Sequence, residues 1–290
     1  MGNLKTAILS KLCNNVQPLT ENRFFMKTTP PKRTHRFYLP NAEKTGQTLE
    51  FNEEILHYAS RVLRLNNLNE VHAWNGRGQI FPAVLHYLSK NQAQVVITAE
   101  ALTSTNTELT RPIYVAQALP EGDKMELILG KCTELGARGF FPFQARRSVV
   151  QLTTERAQKK QAHWHKLLIS SALQSERLYL PTLRPLSSLN ELFNHLHNTF
   201  QNVEIILFTP HNTQAHFHRW LAQQNQQVAN TNTPIVILVG PEGGFDDTEI
   251  ELATHHNAHI LCFSQRILRT ETFALACIAQ LTLGLGLEGG

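Results

Sequence analysis

The sequence predicts an α/β protein in which a small β domain precedes a larger domain built on a parallel sheet. Up to about Ala101 the apolar runs are short and are separated by turn residues. From Arg111 onward, short runs rich in β-branched residues alternate with amphipathic segments of helical period. That alternation is typical of parallel strands joined by helical crossovers. At 290 residues the chain is long enough for two domains of ordinary size.

The first third of the chain predicts an extension and then the β domain. Residues 1–33 precede any periodic pattern and are expected to be a disordered N-terminal extension, or to follow from an upstream start codon with Met26 as the native start. Asn75-Gly76 lies between two apolar runs and predicts a hairpin, because both of these residues can take positive φ. A stretch rich in Ser and Thr at 102–110 predicts a linker. We therefore expect the β domain over 34–104 and the second domain over 105–290.

The second domain is predicted to contain five strands with helices between them. The predicted strands are Ile113–Ala118, Gly139–Phe143, Val203–Thr209, Pro234–Gly240 and His259–Ser264. The predicted helices include 124–137, 155–173 and 247–258. The chain closes with a largely apolar helix from Ala274 to Leu287, which is expected to be buried in the core or against another subunit.

Composition excludes several classes of protein and leaves one charge cluster to explain. No apolar run reaches the length of about eighteen residues that a bilayer span requires, so we expect a cytoplasmic protein without a membrane segment. The four cysteines are scattered singly, which fits a reducing compartment. Net charge is +4, but ten Lys or Arg stand against five Asp or Glu between Arg111 and Lys166, a local +5. This concentration either binds a phosphate backbone or is an ordinary solvated surface.

A glycine-rich turn follows the predicted strand at Pro234–Gly240. The chain passes through Gly240, Pro241, Glu242, Gly243 and Gly244 and then enters a helix, which Asp246 can cap with Glu249 three residues later. Ligands of open α/β sheets bind at the carboxyl ends of strands, where glycine lets backbone amides approach them. The turn is therefore either a ligand cradle or a structural loop.

A second unusual loop follows the last predicted strand. It contains Arg266, Arg269 and Glu271 together with the apolar pair Ile267 and Leu268. A glycine turn beside an apolar, amide-rich loop suits an adenosine group better than a triphosphate. The alternative is a surface ion-pair cluster of the two arginines and the glutamate.

Other chemistries lack their residues. No Lys or Ser follows the glycines as a P-loop requires, and no G-x-S-x-G elbow is present. Three H-x-H pairs lie in predicted helices, where residues i and i+2 face apart, so no metal site is expected. These pairs are His163 and His165, His195 and His197, and His216 and His218.

The motifs together resemble a known family. VGPEGGF, D-x-x-E-I and QRILRTET-x-A-L resemble the signature of the bacterial 16S ribosomal RNA small subunit methyltransferase E family of the SPOUT superfamily. Further similar pieces are RxHRFYL, HYASRVLRLN, KMELILGKCTELGARGFFPF and RRSVV, and the likeness covers about 34–287. The resemblance implies a PUA-like RNA-binding β domain, a SPOUT methyltransferase domain with a deep trefoil knot, a homodimer, and S-adenosyl-L-methionine as the cofactor. The implied reaction is methylation of N3 of one uridine in the decoding region of 16S rRNA, within the small ribosomal subunit.

The resemblance also implies site residues. The cofactor-binding residues would be Phe208, Thr209, Pro210, Gly240, Pro241, Glu242, Gly243, Gly244, Ser264, Ile267, Leu268 and Thr272. Residues for RNA binding would be Arg33, Arg36, Arg138, Arg146, Arg147, Gln174 and Arg177. The chain departs from the family pattern at Phe263-Ser264, where Leu-Gly is usual, and at Leu173 and Glu176, where Glu and Gly are usual.

The implied chemistry assigns roles to the second loop. Uridine N3 carries a proton and is a poor nucleophile until that proton leaves, so the enzyme must orient and deprotonate it. Glu271 is the predicted base, and Arg266 and Arg269 are predicted to stabilise the uridine anion or to hold phosphate. Glu271 could instead pair with Arg269 or cap the last helix. Two other functions stay open: a SPOUT enzyme acting on another RNA, such as at a ribose 2′-OH, or a non-catalytic RNA-binding or ribosome assembly factor.

Overall fold

The structure is a computed structural model that describes residues 34–103, 106–209, 215–226, 233–264 and 266–288. The extension predicted for residues 1–33 lies outside the described residues. Residues His35–Gly290 form one compact unit. The predicted division of this unit into 34–104 and 105–290 stays a prediction.

A five-stranded sheet occupies the first third of the described chain, in the order β1-β3-β4-β5-β2. β1 pairs parallel to β3, and the other neighbours are antiparallel. The strands are β1 (Arg36–Tyr38), β2 (Thr48–Glu50), β3 (Glu70–Trp74), β4 (Ile80–Ser89) and β5 (Gln92–Ile97). A short helix α1 (Glu53–His57) continues into a π-helical turn (Tyr58–Val62) between β2 and β3.

The predicted hairpin forms, but its turn is longer than expected. Of the two central residues, only Gly76 has a positive φ, of 73°. Asn75 acts through its side chain instead: its Oδ1 accepts hydrogen bonds from the backbone N–H of Arg77 (2.8 Å) and Gln79 (3.2 Å). The hairpin is therefore confirmed, but only one of the two residues that can take positive φ does so, because asparagine here organises a wider loop between Trp74 and Ile80.

A second sheet of largely parallel strands carries the rest of the chain, in the order β12-β10-β11-β6-β7-β8, with β9 also on β7. Its strands are β6 (Ile113–Ala118), β7 (Gly139–Gln144), β8 (Thr182–Leu183), β9 (Ser187–Ser188), β10 (Glu204–Phe208), β11 (Ile235–Val239) and β12 (His259–Leu261). The helices are α2 (Lys124–Glu134), α3 (Thr154–Gln174), α4 (Leu189–Thr199), α5 (Phe217–Gln226), α6 (Asp247–His255) and α7 (Thr270–Gly284). The predicted α/β fold class is confirmed, while the trefoil knot stays a prediction.

Helices cover both faces of this sheet. Alternate residues of β11 pack on opposite sides: Ile235 and Ile237 belong to a core with α2, α3, α5 and α7, whereas Val236 and Leu238 belong to a core with α4 and α6. A strand that is buried on both faces reads as one continuous apolar run, which is why it could be predicted. Among the described residues, none of the helices combines the length and apolar character that a membrane span needs.

The last helix begins one turn before its predicted start. α7 begins at Thr270 rather than Ala274. Thr270 and Glu271 therefore lie on the first turn of a helix whose body is buried. Because of this earlier start, the arginine-containing loop ends directly at the first turn of a buried helix.

The departure at Glu176 sits in strained backbone. Glu176 has φ of 57°, a left-handed conformation that costs a non-glycine residue about 1–2 kcal/mol. Glycine, which the family pattern has here, takes this conformation without that cost but loses more backbone entropy on folding, about 0.5–1 kcal/mol.

We therefore expect Glu176→Gly to raise the free energy of unfolding by about 0.5–1 kcal/mol in urea denaturation. Glu100→Gly is the control, because Glu100 is exposed and has no positive φ. That substitution should leave stability unchanged or lower it. A Glu176→Gly protein that is less stable than the original would show that the glutamate side chain compensates for its backbone.

Candidate functional site

Three neighbouring strands end together at one edge of the second sheet. β10 lies between β11 and β12, and Phe208 pairs in register with Leu261 while Leu207 pairs with Leu238. The segments that follow these strands are the ones predicted to bind a cofactor. Thr209 donates its backbone N–H to the carbonyl oxygen of Leu261 at 3.0 Å. Pro210, the third residue predicted in its segment, lies outside the described residues.

The glycine turn from Gly240 to Gly244 is packed too closely for other residues at two positions. A Cβ at Gly240 would lie 3.2 Å from the ring of Phe245, and one at Gly243 would lie 3.0 Å from Cβ of Arg147. Gly244 has φ of 67° and donates its N–H to the carbonyl oxygen of Pro241 at 2.9 Å. The turn is therefore tight and leaves the backbone of Glu242 and Gly243 exposed.

Charged side chains anchor this turn from both sides. Glu242 Oε1 accepts hydrogen bonds from Nζ of Lys124 and from the backbone N–H of Glu121. Burial acts to raise the pKa of Glu242, but the hydrogen bond from Lys124 and those from backbone N–H groups outweigh it, so its pKa lies below the usual range. On the other side, the Arg147 guanidinium donates to the carbonyl oxygen of Gly243 at 3.1 Å.

The helix after the turn has the predicted capping box. Asp246 Oδ1 accepts from the N–H of Glu249 at 2.8 Å, and Glu249 Oε2 accepts from the N–H of Asp246 at 3.0 Å. Glu249 is buried, and its second oxygen accepts the backbone N–H of Arg146 at 2.9 Å. The capping box thus also attaches the loop after β7, with Arg146 and Arg147, to the candidate site.

The second loop keeps its packing despite its altered entrance. Phe263, where the family pattern has Leu, packs with the rings of Phe208 and Phe273. Ser264 Oγ donates to the carbonyl oxygen of Arg266 at 2.8 Å and accepts the N–H of Arg266 at 3.2 Å. The serine therefore builds a local turn where the family pattern has a glycine. Gln265 lies outside the described residues.

The remaining residues of this loop are mostly exposed. Ile267 is 82% exposed, and Arg266, Arg269 and Thr272 are also at the surface, while Leu268 is half-buried. An isoleucine that projects into solvent beside a tight glycine turn offers an apolar surface to a ligand or a partner. By contrast, the side chain of Phe208 is buried in the core, so Phe208 can reach a ligand only through its backbone.

One hydroxyl joins the two loops, and the sequence did not reveal it. Thr270 Oγ1 donates to the carbonyl oxygen of Gly240 at 2.8 Å and accepts from Nε2 of Gln117 at 3.0 Å. Gln117 is fully buried, is the second-last residue of strand β6, where it pairs with Val239, and also donates to the carbonyl oxygen of Ala118 at 2.9 Å. We call these three residues the Gln117–Thr270–Gly240 clamp. The signal that could have found it is a lone amide in an otherwise apolar strand, because a buried polar side chain needs a partner.

Glu271 stands beside this clamp with one oxygen unpaired. Its Oε2 is buried, and the described residues provide no hydrogen-bond partner for it. Nor is an ion pair of Glu271 with Arg266 or Arg269 found in the described ranges, so the alternative interpretation of this loop as a surface ion-pair cluster is not supported there. Glu271 lies in the first turn of α7, where a negative charge is favourable. The hydrogen bond that Lys124 donates to Glu242 raises the pKa of Lys124, and the charges of Glu242 and Glu271 add to this rise.

The residues predicted to bind RNA fall into two groups. Arg146 and Arg147 lie at the edge that carries the glycine turn. Arg138 precedes β7 and therefore lies at the opposite edge, where its guanidinium stacks 4.2 Å from the ring centre of Tyr179. Gln174 is exposed at the end of α3, and Arg36 donates to the carbonyl oxygen of Arg177 at 3.1 Å. Arg33 lies outside the described residues.

The burial of Arg177 contradicts the prediction that this residue binds RNA. Its side chain is 3% exposed and forms a two-pronged ion pair with Glu108, which is itself buried. The same guanidinium donates to the carbonyl oxygens of Ala137 (2.6 Å) and Thr133 (3.2 Å). Four of its five N–H donors are used inside the protein and its side chain is buried, so Arg177 is a structural residue and is not available to RNA.

A cleft of about 390 Å³ lies near this ion pair, away from the three strand ends. Its lining includes Glu108, Pro112, Arg138 and Tyr179, which precede β6, precede β7 or follow α3. Because parallel strands start at the edge opposite to their carboxyl ends, this cleft does not belong to the candidate site.

The histidine pairs do not form a metal site within the part of the chain that is described, where groups of three potential ligands are not found. His197 and His256 share a hydrogen bond of 2.9 Å between ring nitrogens. His216 precedes α5 and pairs with Cys262 in an isolated bridge, so the helix predicted for His216 was wrong at that residue.

Comparisons with known proteins agree with this arrangement. Residues 107–282 match the model of the RNA methyltransferase domain. The chain is similar to the ribosomal RNA small subunit methyltransferase E of Bacillus subtilis (strain 168), with 31% identity over 81% of this chain and 91% of that protein. It is also similar to the protein of the same name from Synechocystis, with 31% identity over 78% of this chain and 70% of that one.

Solved structures show the same fold. The structure of a ribosomal RNA small subunit methyltransferase E from Neisseria gonorrhoeae bound to S-adenosyl methionine matches with a TM-score of 0.73 and 29% identity, over 87% of this chain and 98% of that one. A methyltransferase structure from Legionella pneumophila in complex with bound SAM matches with a TM-score of 0.76 and 28% identity, with the same coverage. Fold and site thus define an RNA methyltransferase. The chain belongs to the ribosomal RNA small subunit methyltransferase E family.

Proposed function

We propose that this chain transfers a methyl group from S-adenosyl-L-methionine to N3 of one uridine in the decoding region of 16S rRNA. Family membership supports an rRNA methyltransferase of the small subunit. The observation that carries the site assignment is the Gln117–Thr270–Gly240 clamp, because it brings the glycine turn and the arginine-containing loop to one point.

The residues at this edge fit the proposed cofactor. Gly243 and Glu242 expose backbone groups, and a Cβ at Gly244 would meet nothing within 4 Å, so there is room for a ligand. Ile267 offers an apolar surface that an adenine ring could cover. We assign contact with the cofactor to the described part of the predicted set, namely Phe208 and Thr209 by backbone, Gly240, Pro241, Glu242, Gly243, Gly244, Ser264, Ile267, Leu268 and Thr272. When bound, S-adenosylmethionine supplies a methyl group on an electrophilic sulfonium.

The side chains of the protein then have to remove the N3 proton of the uridine and stabilise the anion that results. Glu271 accepts the N3 proton as the N3–methyl bond forms and the bond from that methyl to sulfur breaks, which releases S-adenosylhomocysteine. Its buried, unpaired Oε2 supports this role, because a carboxylate oxygen without a partner can accept a proton. Arg266 and Arg269 are exposed beside it and stabilise the uridine anion or hold a neighbouring phosphate.

The assembly around the site is also proposed. Residues 34–104 form a PUA-like RNA-binding domain and residues 105–290 a SPOUT domain with a trefoil knot. The protein is a homodimer, and we place Leu283 of α7, which is 80% exposed, in its interface. A cytoplasmic location fits the free, buried thiols of Cys132, Cys262 and Cys277. Light scattering after gel filtration tests the dimer.

The decisive experiment is mass spectrometry of 16S rRNA nucleosides from a strain that lacks the gene. We expect 3-methyluridine to disappear and to return when the gene is restored. Unchanged 3-methyluridine would contradict the proposal, and loss of a ribose methylation instead would favour the 2′-O alternative. Calorimetry that detects no binding of S-adenosylmethionine at millimolar concentration would favour the assembly factor.

The Gln117–Thr270–Gly240 clamp predicts that the hydroxyl of Thr270 supports cofactor binding. Thr270→Val keeps the shape of the side chain but removes the hydroxyl, so the carbonyl of Gly240 and the amide of Gln117 lose their shared partner. We expect the dissociation constant for S-adenosylmethionine to rise about tenfold, or about 1.4 kcal/mol, which lies within the range of about 1–3 kcal/mol for two lost hydrogen bonds. Thr270→Ser retains the hydroxyl and should bind nearly as the original protein does.

Hydrogen exchange tests the clamp without the cofactor. In Thr270→Val, the backbone amides of the glycine turn and of Ile267–Arg269 should exchange faster together, while those of β4 should not change. Equal exchange in the valine and serine variants would exclude the clamp as the link between the two loops.

A further inference from the structure

The excess of positive charge between Arg111 and Lys166 includes four cations that lie on one helix, α3. Six of its ten cations are engaged within the fold: Arg111 with Glu204, Lys124 with Glu242, Lys131 with Glu134, Arg138 with Glu108, Arg146 with Asp246, and Arg147 with the carbonyl of Gly243. The other four lie on α3, and they are Arg156, Lys159, Lys160 and Lys166. Of these four, Lys166 pairs with Glu54 on α1 and Lys160 lies over the ring of Trp164. For Arg156 and Lys159, the described residues provide no ion-pair partner, so α3 carries the least neutralised part of the charge cluster.

Three of these cations share one exposed face. Arg156, Lys159 and Lys166 are spaced by three and seven residues, which places them on the same side of an α-helix. The opposite side of α3 is buried through Trp164, Leu168 and Ala172. Lys160 is not part of this face, because its ammonium group lies over the ring of Trp164, 5.9 Å from the ring centre.

The helix leads from the candidate site to the first sheet. α3 begins shortly after Arg146 and Arg147, which contact the glycine turn and its capping box. Lys166 follows Arg156 by ten residues, and its Nζ lies 2.7 Å from Oε2 of Glu54 on α1. At the helical rise of about 1.5 Å per residue, Arg156 and Lys166 are about 15 Å apart along the helix axis.

The surface continues on α1 and the π-helical turn. Tyr58 and Arg61 follow Glu54 by four and seven residues, so they lie on about the same side as the residue that touches Lys166. Both are exposed, and Tyr58 is 47% exposed. An exposed aromatic ring beside cations is the combination on which an RNA base stacks while its phosphates are neutralised.

Acidic neighbours reduce this charge only in part. Glu54 pairs with Lys166, but both side chains are about two-thirds exposed, and such pairs are weak and exchange readily. His163, which lies between Lys159 and Lys166, contacts Glu126 at 3.0 Å, and Glu155 is exposed at the start of the helix. Along α3 the four cations still outnumber Glu155.

We propose that a surface made of Arg156, Lys159, Lys166, Tyr58 and Arg61, which we call the α3 track, binds the rRNA strand that leaves the target uridine. The four cations hold the phosphates of this strand, and one of its bases stacks on Tyr58. The inference rests on the proposed function, because it assumes an RNA substrate at the glycine-turn edge. The track gives that strand a route of complementary charge from this edge to the first sheet.

The test is the salt dependence of RNA binding. Each phosphate contact contributes about 0.7–0.9 to the slope of log affinity against log salt concentration. The probe is the 30S subunit purified from the deletion strain, titrated by filter binding at several KCl concentrations. We expect the triple variant Arg156→Gln, Lys159→Gln, Lys166→Gln to reduce the slope by about 2–3. Its melting temperature and its affinity for S-adenosylmethionine should not change.

A matched triple variant removes the same charge elsewhere. Lys44, Lys90 and Arg219 are exposed and lie outside the track, and replacing them with Gln should leave the slope nearly unchanged. An unchanged slope in the track variant, or equal losses in both variants, would overturn the inference while the original protein still bound and methylated the subunit. An original protein that did neither would overturn the proposed function, and the inference with it.

Discussion

Glu271→Gln is expected to lower the turnover of S-adenosylmethionine-dependent methylation by at least about 100-fold, the usual effect of removing a general base. The substitution keeps the size and nearly the shape of the side chain but removes the group that takes the N3 proton. Glu271 is suited to the role because its Oε2 is buried without a partner, in the first turn of α7 beside the clamp. Single-turnover assays with saturating cofactor isolate this step from product release.

The affinity for S-adenosylmethionine should change little in this variant, because Glu271 acts on the uridine. Glu251→Gln on the exposed side of α6 is the control, with the same chemical change and near-normal turnover. Comparison of melting temperatures separates a chemical defect from an unfolded protein. Near-normal turnover of Glu271→Gln would exclude it as the base and leave Arg266 and Arg269 to act by lowering the pKa of the uridine.

The sequence predicted the elements of the second sheet because their environment leaves a simple pattern. A strand that is covered on both faces, such as β11, is a continuous apolar run, and the capping box of Asp246 and Glu249 is a local signal confined to four residues. Both depend on neighbouring residues alone. The candidate site at the three strand ends depends on the same kind of local signal and stays a prediction, since a glycine turn after a buried strand marks a place where backbone can approach a ligand closely.

Long-range pairing was not predictable in the same way. The clamp joins Gln117 to Thr270, which are 153 positions apart, and no spacing rule links them. The ion pair of Arg177 with Glu108 is equally remote, so an arginine in a polar segment looked like an RNA ligand until its burial was known. Local patterns give elements and turns, whereas the partners of a buried polar side chain depend on the tertiary fold.

Arg177→Met is expected to lower the free energy of unfolding by about 3–5 kcal/mol, the usual cost of removing one partner from a buried ion pair. Methionine fills a similar volume, so packing loss is small. Glu108, however, would stay buried with only the more exposed Arg138, 3.5 Å away, as a counter-charge, and the carbonyl oxygens of Thr133 and Ala137 would lose their donor. Urea denaturation measures the change, and Arg219→Met, at an exposed arginine, should shift it by no more than about 0.5 kcal/mol.

The double variant Arg177→Met, Glu108→Leu tests whether the loss of stability in Arg177→Met comes from the buried carboxylate of Glu108. Replacing both charges with apolar groups removes the buried carboxylate, so the double variant should recover much of the lost stability. It should also bind 30S subunits as the original protein does, because the guanidinium of Arg177 faces the protein interior. A stable Arg177→Met protein with weakened RNA binding would instead return Arg177 to the RNA interface, and the buried ion pair would then have to open when the subunit binds.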